Sequence, residues 1–437
     1  MGNIIALGAQ WGDEGKGKVV DLLAARMEVV VRFQGGPNAG HTLIIGGART
    51  VLHHIPSGIL HPGTLCLIGS GTVLDPEKLS EEIAQLRSGG IEPEGRLRIA
   101  ERCQLILPSH RMLDEAREAG RRGGRPLGTT GCGIGPAYED KAGRRGIRLA
   151  DLAQPEAKLL PRVRALLDYH NHQLRYYGAD PVALEAVEAV LNRARAELLP
   201  LACDLPRLLR ERMASGARIL FEGAQGAMLD IDHGTYPFVT SSSTVAGGAL
   251  SGTGVGPAAI GQVLGIAKAY ATRVGEGPFP TELYDGEQLR DPAGARMADV
   301  GREFGATTGR LRRTGWFDAV AVRHAVCVNG MTGLALTKLD VLDGFEEVRI
   351  CDGYLLDGTS IDRIPPLAEE YGRCRPHYRT LPGWRCSTYG LTDAAALPER
   401  ARDFIAAIEE LCGVPVVLLS TGPDREQVIT LRPDFFA

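Results

Sequence analysis

Six short stretches of the chain are nearly continuous apolar runs: residues 3–9 (NIIALGA), 28–34 (EVVVRFQ), 65–69 (LCLIG), 217–222 (ARILFE), 334–339 (LALTKL) and 414–420 (VPVVLLS). Runs of this length without polar alternation are expected of strands covered on both faces. Between them, apolar residues recur at helical spacing around 16–26, 76–88, 109–119, 157–176, 183–198, 257–270 and 399–412. Strands that alternate with helices predict an α/β fold with a mainly parallel central sheet.

Residues 100–215 break the pattern. They are mostly helical, rich in Arg and Leu, and show no convincing central strand after about 107. Strand patterning resumes at 217, so the expectation is a single α/β domain over 1–437, with 108–215 as a mainly helical insertion. Ser/Thr/Gly clusters at 240–256 and 305–309 read as long functional loops.

Composition adds limits to this picture. Apolar content of 44% and charged content of 23% describe a folded globular chain. A net charge of −4 argues against a general nucleic-acid binder. The nine cysteines include no C-x-x-C pair, which disfavours a zinc ribbon or thioredoxin-like chemistry and fits reduced thiols. No stretch reaches about 18 uninterrupted apolar residues, and the start lacks a basic segment followed by an apolar core. A cytoplasmic protein that does not span a membrane is expected.

The first predicted strand runs into "QWGDEGKGK", residues 10–18. Such a strand, glycine turn and helix present free N–H groups and a positive dipole end to an anion. The arrangement is P-loop-NTPase-like, but it departs from G-x-x-x-x-G-K-[ST]. Gly8 and Gly15 are separated by six residues, Lys16 is followed by Gly17, and Asp13 and Glu14 sit inside the loop. A carboxylate beside phosphates needs a reason. Asp13 can replace the missing hydroxyl as a Mg²⁺ ligand, serve as a general base on a neighbouring substrate, or do both.

A second loop, "GGPNAGHT" at 35–42, follows the second predicted strand. The C-terminal ends of strands are where α/β sheets place ligands. His41, with an ordinary pKa near ~6.5, can donate a proton or a hydrogen bond to a developing oxyanion.

Seven blocks, "QWGDEGKGK", "GGPNAGHT", "GTTGCGIGPAYEDK", "FEGAQG" with "DIDHGTYPFVTSS", "ATTGRLRRTGW", "TKLD" and "STGPDR", occur in the order found in adenylosuccinate synthetases. The chain resembles that family from residue 3 to about 431. The resemblance implies a GTP-dependent ligase of purine biosynthesis that joins IMP to L-aspartate on the route to AMP, through 6-phosphoryl-IMP. It implies one Mg²⁺ per subunit and a homodimer, with no nucleic acid or membrane as partner.

By the same resemblance, the catalytic residues are Asp13, His41 and Gln225. Asp13 matches the base that takes the IMP N1 proton, and with the carbonyl of Gly40 it matches the Mg²⁺ ligands. The IMP site would comprise Asp13, Glu14, Gly15, Lys16, Asn38, Ala39, Gly40, His41, Thr130, Gln225, Thr240 and Arg310, with Arg144 reaching the neighbouring subunit's site. Aspartate would bind at Ala306, Thr307, Thr308, Gly309, Arg310, Leu311 and Arg312. Its two carboxylates suit Thr hydroxyls and paired arginines. GTP would lie along Gly12 to Lys18 (Gly12, Asp13, Glu14, Gly15, Lys16, Gly17, Lys18), Gly40, His41, Thr42 and Arg312. Its base would meet Lys338, Leu339, Asp340, Ser420, Thr421 and Gly422. An Asp at a strand end can accept from guanine N1–H and its 2-amino group, which adenine cannot supply. Pro37 and Cys132 depart from residues common in the family, and neither matches a catalytic position.

Two rivals make different demands. A regulatory GTPase wants Ser or Thr after the loop lysine and a D-x-x-G switch, and neither is found in suitable context. An ATP-driven carboxylate–amine ligase would not need guanine-reading residues.

Overall fold

The computed structural model describes residues 2–45, 48–120, 128–285, 288–289, 291–304 and 311–437. Its centre is a ten-stranded sheet. In chain order the strands are β1 (Asn3–Gly8), β2 (Val29–Arg32), β3 (Leu65–Ile68), β4 (Leu97–Ala100), β5 (Ala202–Cys203), β6 (Ile219–Gly226), β7 (Ile260–Lys268), β8 (Gly333–Thr337), β9 (Val416–Ser420) and β10 (Val428–Thr430). Their spatial order is β10-β9-β8-β7-β1-β6-β2-β3-β4-β5. Every neighbouring pair is parallel except β9 with the edge strand β10.

The apolar runs form strands because both faces of the sheet are covered. Along β1, Ile5 and Leu7 pack into one buried cluster, whereas Ile4 and Ala6 pack into a second with Val19, Val20 and Leu23 of helix α1 (Lys16–Ala24). Alternation is thus apolar on apolar, which leaves no polar position to mark the period.

All six expected strands lie in this sheet, but one expected helix does not exist. Residues 257–270 contain β7, which sits between β1 and β8. Val263, Leu264, Ile266 and Ala267 mimic a helical apolar face, and a short apolar run does not distinguish the two periods. Gly265 supplies the reason for a strand here: a Cβ would stand 2.4 Å from the sulfur of Met331.

Within 108–215 lie α3 (Pro108–Ala119), α4 (Ile134–Ala142), α5 (Glu156–Tyr176), α6 (Leu184–Glu197) and α7 (Leu205–Ala214). The segment also returns the two-residue strand β5 to the sheet edge. The small-residue run near 250 is a helix, α8 (Ala246–Thr253), rather than part of a loop. Its glycines allow close packing: a Cβ on Gly252 would lie 2.2 Å from the Phe33 carbonyl. A small sheet of Phe317–Asp318, Glu347–Leu356, Thr359–Ile361 and Arg375–Pro382 was not anticipated.

Parallel strands place all their C-terminal ends at one edge of the sheet. The loops after β1, β2, β6, β7, β8 and β9 therefore meet there, although residues 9–15 and 420–422 lie at opposite ends of the chain.

Candidate active site

The loop after β1 is built around Glu14, whose carboxylate turns inward and is fully buried. It accepts from the backbone N–H of Gln10 (3.1 Å) and Gly12 (2.9 Å) and from the Lys16 ammonium (2.5 Å). The carboxylate has room only because Gly8 and Gly226 lack side chains, since a Cβ on either would stand 2.5 Å from its oxygens. Thr337 at the end of β8 donates to the Glu14 carbonyl (2.5 Å). Glu14 thus shapes the loop from inside, and Lys16 is anchored to it. Gly15 caps α1 at φ 81°, which turns the first N–H groups of the helix toward the edge of the sheet.

Lys18, in the expected GTP stretch, ties two parts of the sheet edge together. Its ammonium donates to Ser420 Oγ (2.8 Å), the Gly422 carbonyl (2.6 Å) and the Gln427 carbonyl (2.9 Å). Helix α1 is thereby tied to the loop after β9. Burial pushes this lysine down to about 8, while Asp340 and Asp424 oppose the shift.

Asp13 stands out of the loop with its side chain 37% exposed, and Arg312 Nε donates to its Oδ2 (2.7 Å). His41 begins the strand His41–Ile45 and is buried. Its Nδ1 lies 2.5 Å from Glu222 Oε1, and Glu222 also accepts from the Ser57 N–H (2.9 Å) and Ser57 Oγ (3.0 Å). Burial pushes the His41 imidazole down, against the pull of Glu222. Burial also opposes ionisation of Glu222, but His41 and the buried Arg32 outweigh it and hold the carboxyl below its usual range. The carboxylate therefore fixes the proton on Nδ1 and leaves Nε2 as the working atom.

Four expected site residues carry buried polar atoms without a protein partner: His41 Nε2, Asn38 Oδ1, Gln225 Oε1 and Asp340 Oδ1. Unpaired buried polar atoms are costly, and at residues expected to meet a ligand they are open to its polar groups, although ten others occur among the described residues. Burial pushes the Asp340 carboxyl up. Ser420 and Thr421 are buried beside it in the chain's final sheet loop, and Leu339 is core.

Backbone strain also falls on expected site residues, and at Gln225 it meets an unpartnered polar atom. Six non-glycine residues have positive φ among the described residues, and four are expected site residues: Asp13 (58°), Arg144 (59°), Gln225 (55°) and Lys338 (58°). Such conformations cost about 1–3 kcal/mol each and persist where function requires them. Gln225 ends β6 beside Gly12, and Lys338 caps the turn leading to Asp340.

The sequence reading missed Glu303 and Lys268. Glu303 is completely buried and accepts from Lys268 Nζ (2.9 Å to each oxygen), Lys338 Nζ (2.5 Å), Arg312 Nη1 (2.9 Å) and the Tyr270 hydroxyl. Burial opposes its ionisation, but the three cations hold its carboxyl far below the usual range. Lys268 is pushed down to about 7, first by burial. Glu222 was passed over too. In both Glu222 and Lys268, the available signal was a charged residue at the end of an otherwise apolar strand.

The remaining expected residues are dispersed. Ala39 is buried, Gly40 and Thr240 are half-buried, and Thr130 and Arg144 are exposed. Leu311 is exposed, and Gly17 lies inside the first turn of α1. Thr42 follows His41 in its strand. Ala306, Thr307, Thr308, Gly309 and Arg310 lie outside the described residues, as does the Ser/Thr/Gly cluster at 305–309.

Residues 5–429 match the family model of adenylosuccinate synthetase. The chain belongs to this family. It is 54% identical over 436 residues to the adenylosuccinate synthetase of Neisseria meningitidis serogroup B, covering 99% of each protein. It is 55% identical over 437 residues to that of Vibrio parahaemolyticus, again covering 99% of each. The fully ligated adenylosuccinate synthetase of Plasmodium falciparum superposes with a TM-score of 0.92 at 34% identity, covering 98% of this chain and 100% of that one. A cyanophage succinoaminodeoxyadenylate synthetase shares the fold, with a TM-score of 0.60 at 20% identity. The α/β fold and the GTP-dependent ligation of IMP and aspartate follow from this membership, with GTP as co-substrate and Mg²⁺ as metal. No helix among the described residues is long and apolar enough to cross a membrane.

Proposed function

We propose that Asp13, His41 and Gln225 carry the chemistry of this ligase, and that the reaction runs in two steps. Asp13 takes the N1 proton of IMP, and the electron pair shifts to O6. O6 attacks the γ-phosphorus of GTP, the bond to the β-phosphate oxygen breaks, and GDP leaves. The aspartate amine then adds at C6 and expels phosphate. His41, with its Nδ1–H held by Glu222, presents Nε2 to the transferring group; in the doubly protonated ring that the phosphate charge favours, the Nε2–H donates to the developing charge. The Gln225 amide faces the reacting oxygen.

The observation that supports this reading best is that unpartnered buried polar atoms occur at Asn38, His41, Gln225 and Asp340 and left-handed backbone at Asp13, Gln225 and Lys338. Asp13 offers exposed carboxylate oxygens, the hard donors that Mg²⁺ prefers, so it fits the metal. Asp13 and the Gly40 carbonyl would hold Mg²⁺, which supplies charge neutralisation at the phosphates when bound. Asp340, with the 420–422 loop, reads guanine. Arg312 serves GTP and aspartate, and the 306–312 segment takes the aspartate carboxylates.

The protein works in the cytoplasm as a homodimer, with Arg144 reaching the partner's IMP, and 108–215 is an insertion in one α/β domain. The exposure of Arg144 at a left-handed turn fits a side chain that acts outside its own subunit.

The test supplies GTP or ATP separately with IMP, aspartate and Mg²⁺ and follows the purine absorbance. Turnover with GTP alone is expected. Turnover with ATP alone, or no consumption of IMP, would overturn the reading.

A further inference from the structure

Three cationic side chains converge on the single buried carboxylate of Glu303, and they come from three separate parts of the chain. Lys268 ends β7, Lys338 follows β8, and Arg312 follows the segment after helix α9 (Pro292–Gly301). The main chain adds to the junction: the Glu303 carbonyl accepts from the Arg312 N–H (2.9 Å), and Phe304 pairs with Leu311 in an antiparallel bridge. Lys338 has a second anchor in the Gly301 carbonyl (2.7 Å). Arg312 divides its guanidinium between Glu303 and Asp13.

Lys268 is buried completely and has its own neutral acceptor in Thr272 Oγ1 (2.6 Å). Lys338 and Arg312 are partly exposed and reach the ligand side of the sheet. A carboxylate that served only to neutralise Lys268 would not need to be shared with two side chains at the ligand edge. Without Glu303, Lys338 would keep only the Gly301 carbonyl and Arg312 only the partly exposed Asp13, and like charge would drive them apart from Lys268 and from each other.

We propose that Glu303 is a positioning residue that sets Lys338 and Arg312 in the places from which they meet GTP and aspartate. The proposal rests on the reading above of Lys338 and Arg312 as ligand-contacting residues. Glu303 itself touches no substrate. Its carboxylate does for the cationic side of the site what Glu14 does for the loop: it fixes geometry from beneath.

The experiment compares Glu303→Gln with the double variant Lys268→Met/Glu303→Met in the full-length enzyme. Steady-state kinetics are measured in each substrate, IMP binding is measured directly, and thermal unfolding is recorded. Glu303→Gln is expected to raise KM for GTP and for aspartate by about tenfold or more, with the IMP Kd changed less than about twofold. The double variant removes both members of the buried pair, so its melting temperature recovers toward the parent while both KM defects remain. KM values within about twofold of the parent in Glu303→Gln, or recovery of both KM values in the double variant, would overturn the proposal. Separate variants Lys338→Ala and Arg312→Leu distinguish the two levels. If these leave the GTP and aspartate KM unchanged, the site reading fails and takes the positioning role with it. If they raise KM and Glu303→Gln does not, only the positioning role fails.

Discussion

Nδ1 of His41 lies 2.5 Å from Oε1 of Glu222, a residue 181 positions away in the chain and fully buried in β6. The pairing decides which imidazole nitrogen is free. Because a carboxylate accepts and never donates, Nδ1 carries the proton and Nε2 faces the site without a protein partner.

Glu222→Gln is expected to lower kcat by about a hundredfold, with KM for IMP and GTP nearly unchanged. The amide is neutral and no longer balances the charge of the doubly protonated ring whose Nε2–H donates. Single-turnover phosphoryl transfer measures this directly, and an unaltered rate would remove Glu222 from the account of His41.

Asp13→Asn should retain the fold, because the side chain is partly exposed and its partner among the described residues is Arg312. Turnover should drop by about 10²–10⁴-fold through loss of the proton acceptor. Circular dichroism together with an IMP-dependent GTPase assay makes the comparison. Residual turnover near the parent level would show that another group takes the proton.

Lys18 gives the site an alkaline limit. Its pKa is pushed down to about 8, and the neutral amine lacks the hydrogens to serve Ser420, Gly422 and Gln427 together. KM for GTP should therefore rise as pH passes about 8. Lys18→Arg, whose charge persists, should have a flatter KM profile over the same range. Between that value and the ordinary lysine pKa, the unfolded chain binds the extra proton, so stability itself should not fall with the rising pH. An alkaline KM rise of the same size in Lys18→Arg would exclude this cause.

Asp140 of α4 joins helices α3 and α5. Its Oδ2 accepts from His110 Nε2 (2.9 Å) and His170 Nε2 (2.8 Å), and Oδ1 accepts from Arg145 Nε (2.5 Å). Nδ1 of His110 accepts the Leu107 N–H (2.8 Å), which assigns the proton of that ring to Nε2. Burial opposes ionisation of Asp140, yet the imidazole donors outweigh it and hold the carboxyl well below the usual range. Asp140→Ala leaves the buried donors without an acceptor and should cost about 3 kcal/mol in denaturant unfolding. The depressed carboxyl contributes stability above its unfolded pKa near ~3.9 and loses it as pH falls through the folded value. The parent should thus lose stability more steeply in acid than Asp140→Ala. Parallel pH profiles would refute the assignment.

The sequence by itself determined six of the sheet's strands, where the apolar run was short and nearly continuous, and it determined the family through motifs whose order needs no folding to read. It also singled out Asp13, because a carboxylate within a phosphate-type loop is a local chemical contradiction. What it could not decide were partners set by distance in space. β7 read as a helix because its burial on both faces depends on β1 and β8 as neighbours. The contacts of Lys18 with the carbonyls of Gly422 and Gln427 were hidden because only the closing of the sheet brings them together. Glu222 and Glu303 passed as ordinary acids for the same reason. A buried charge is tolerable only when opposite charge or donors surround it, and those surroundings exist only in the folded chain.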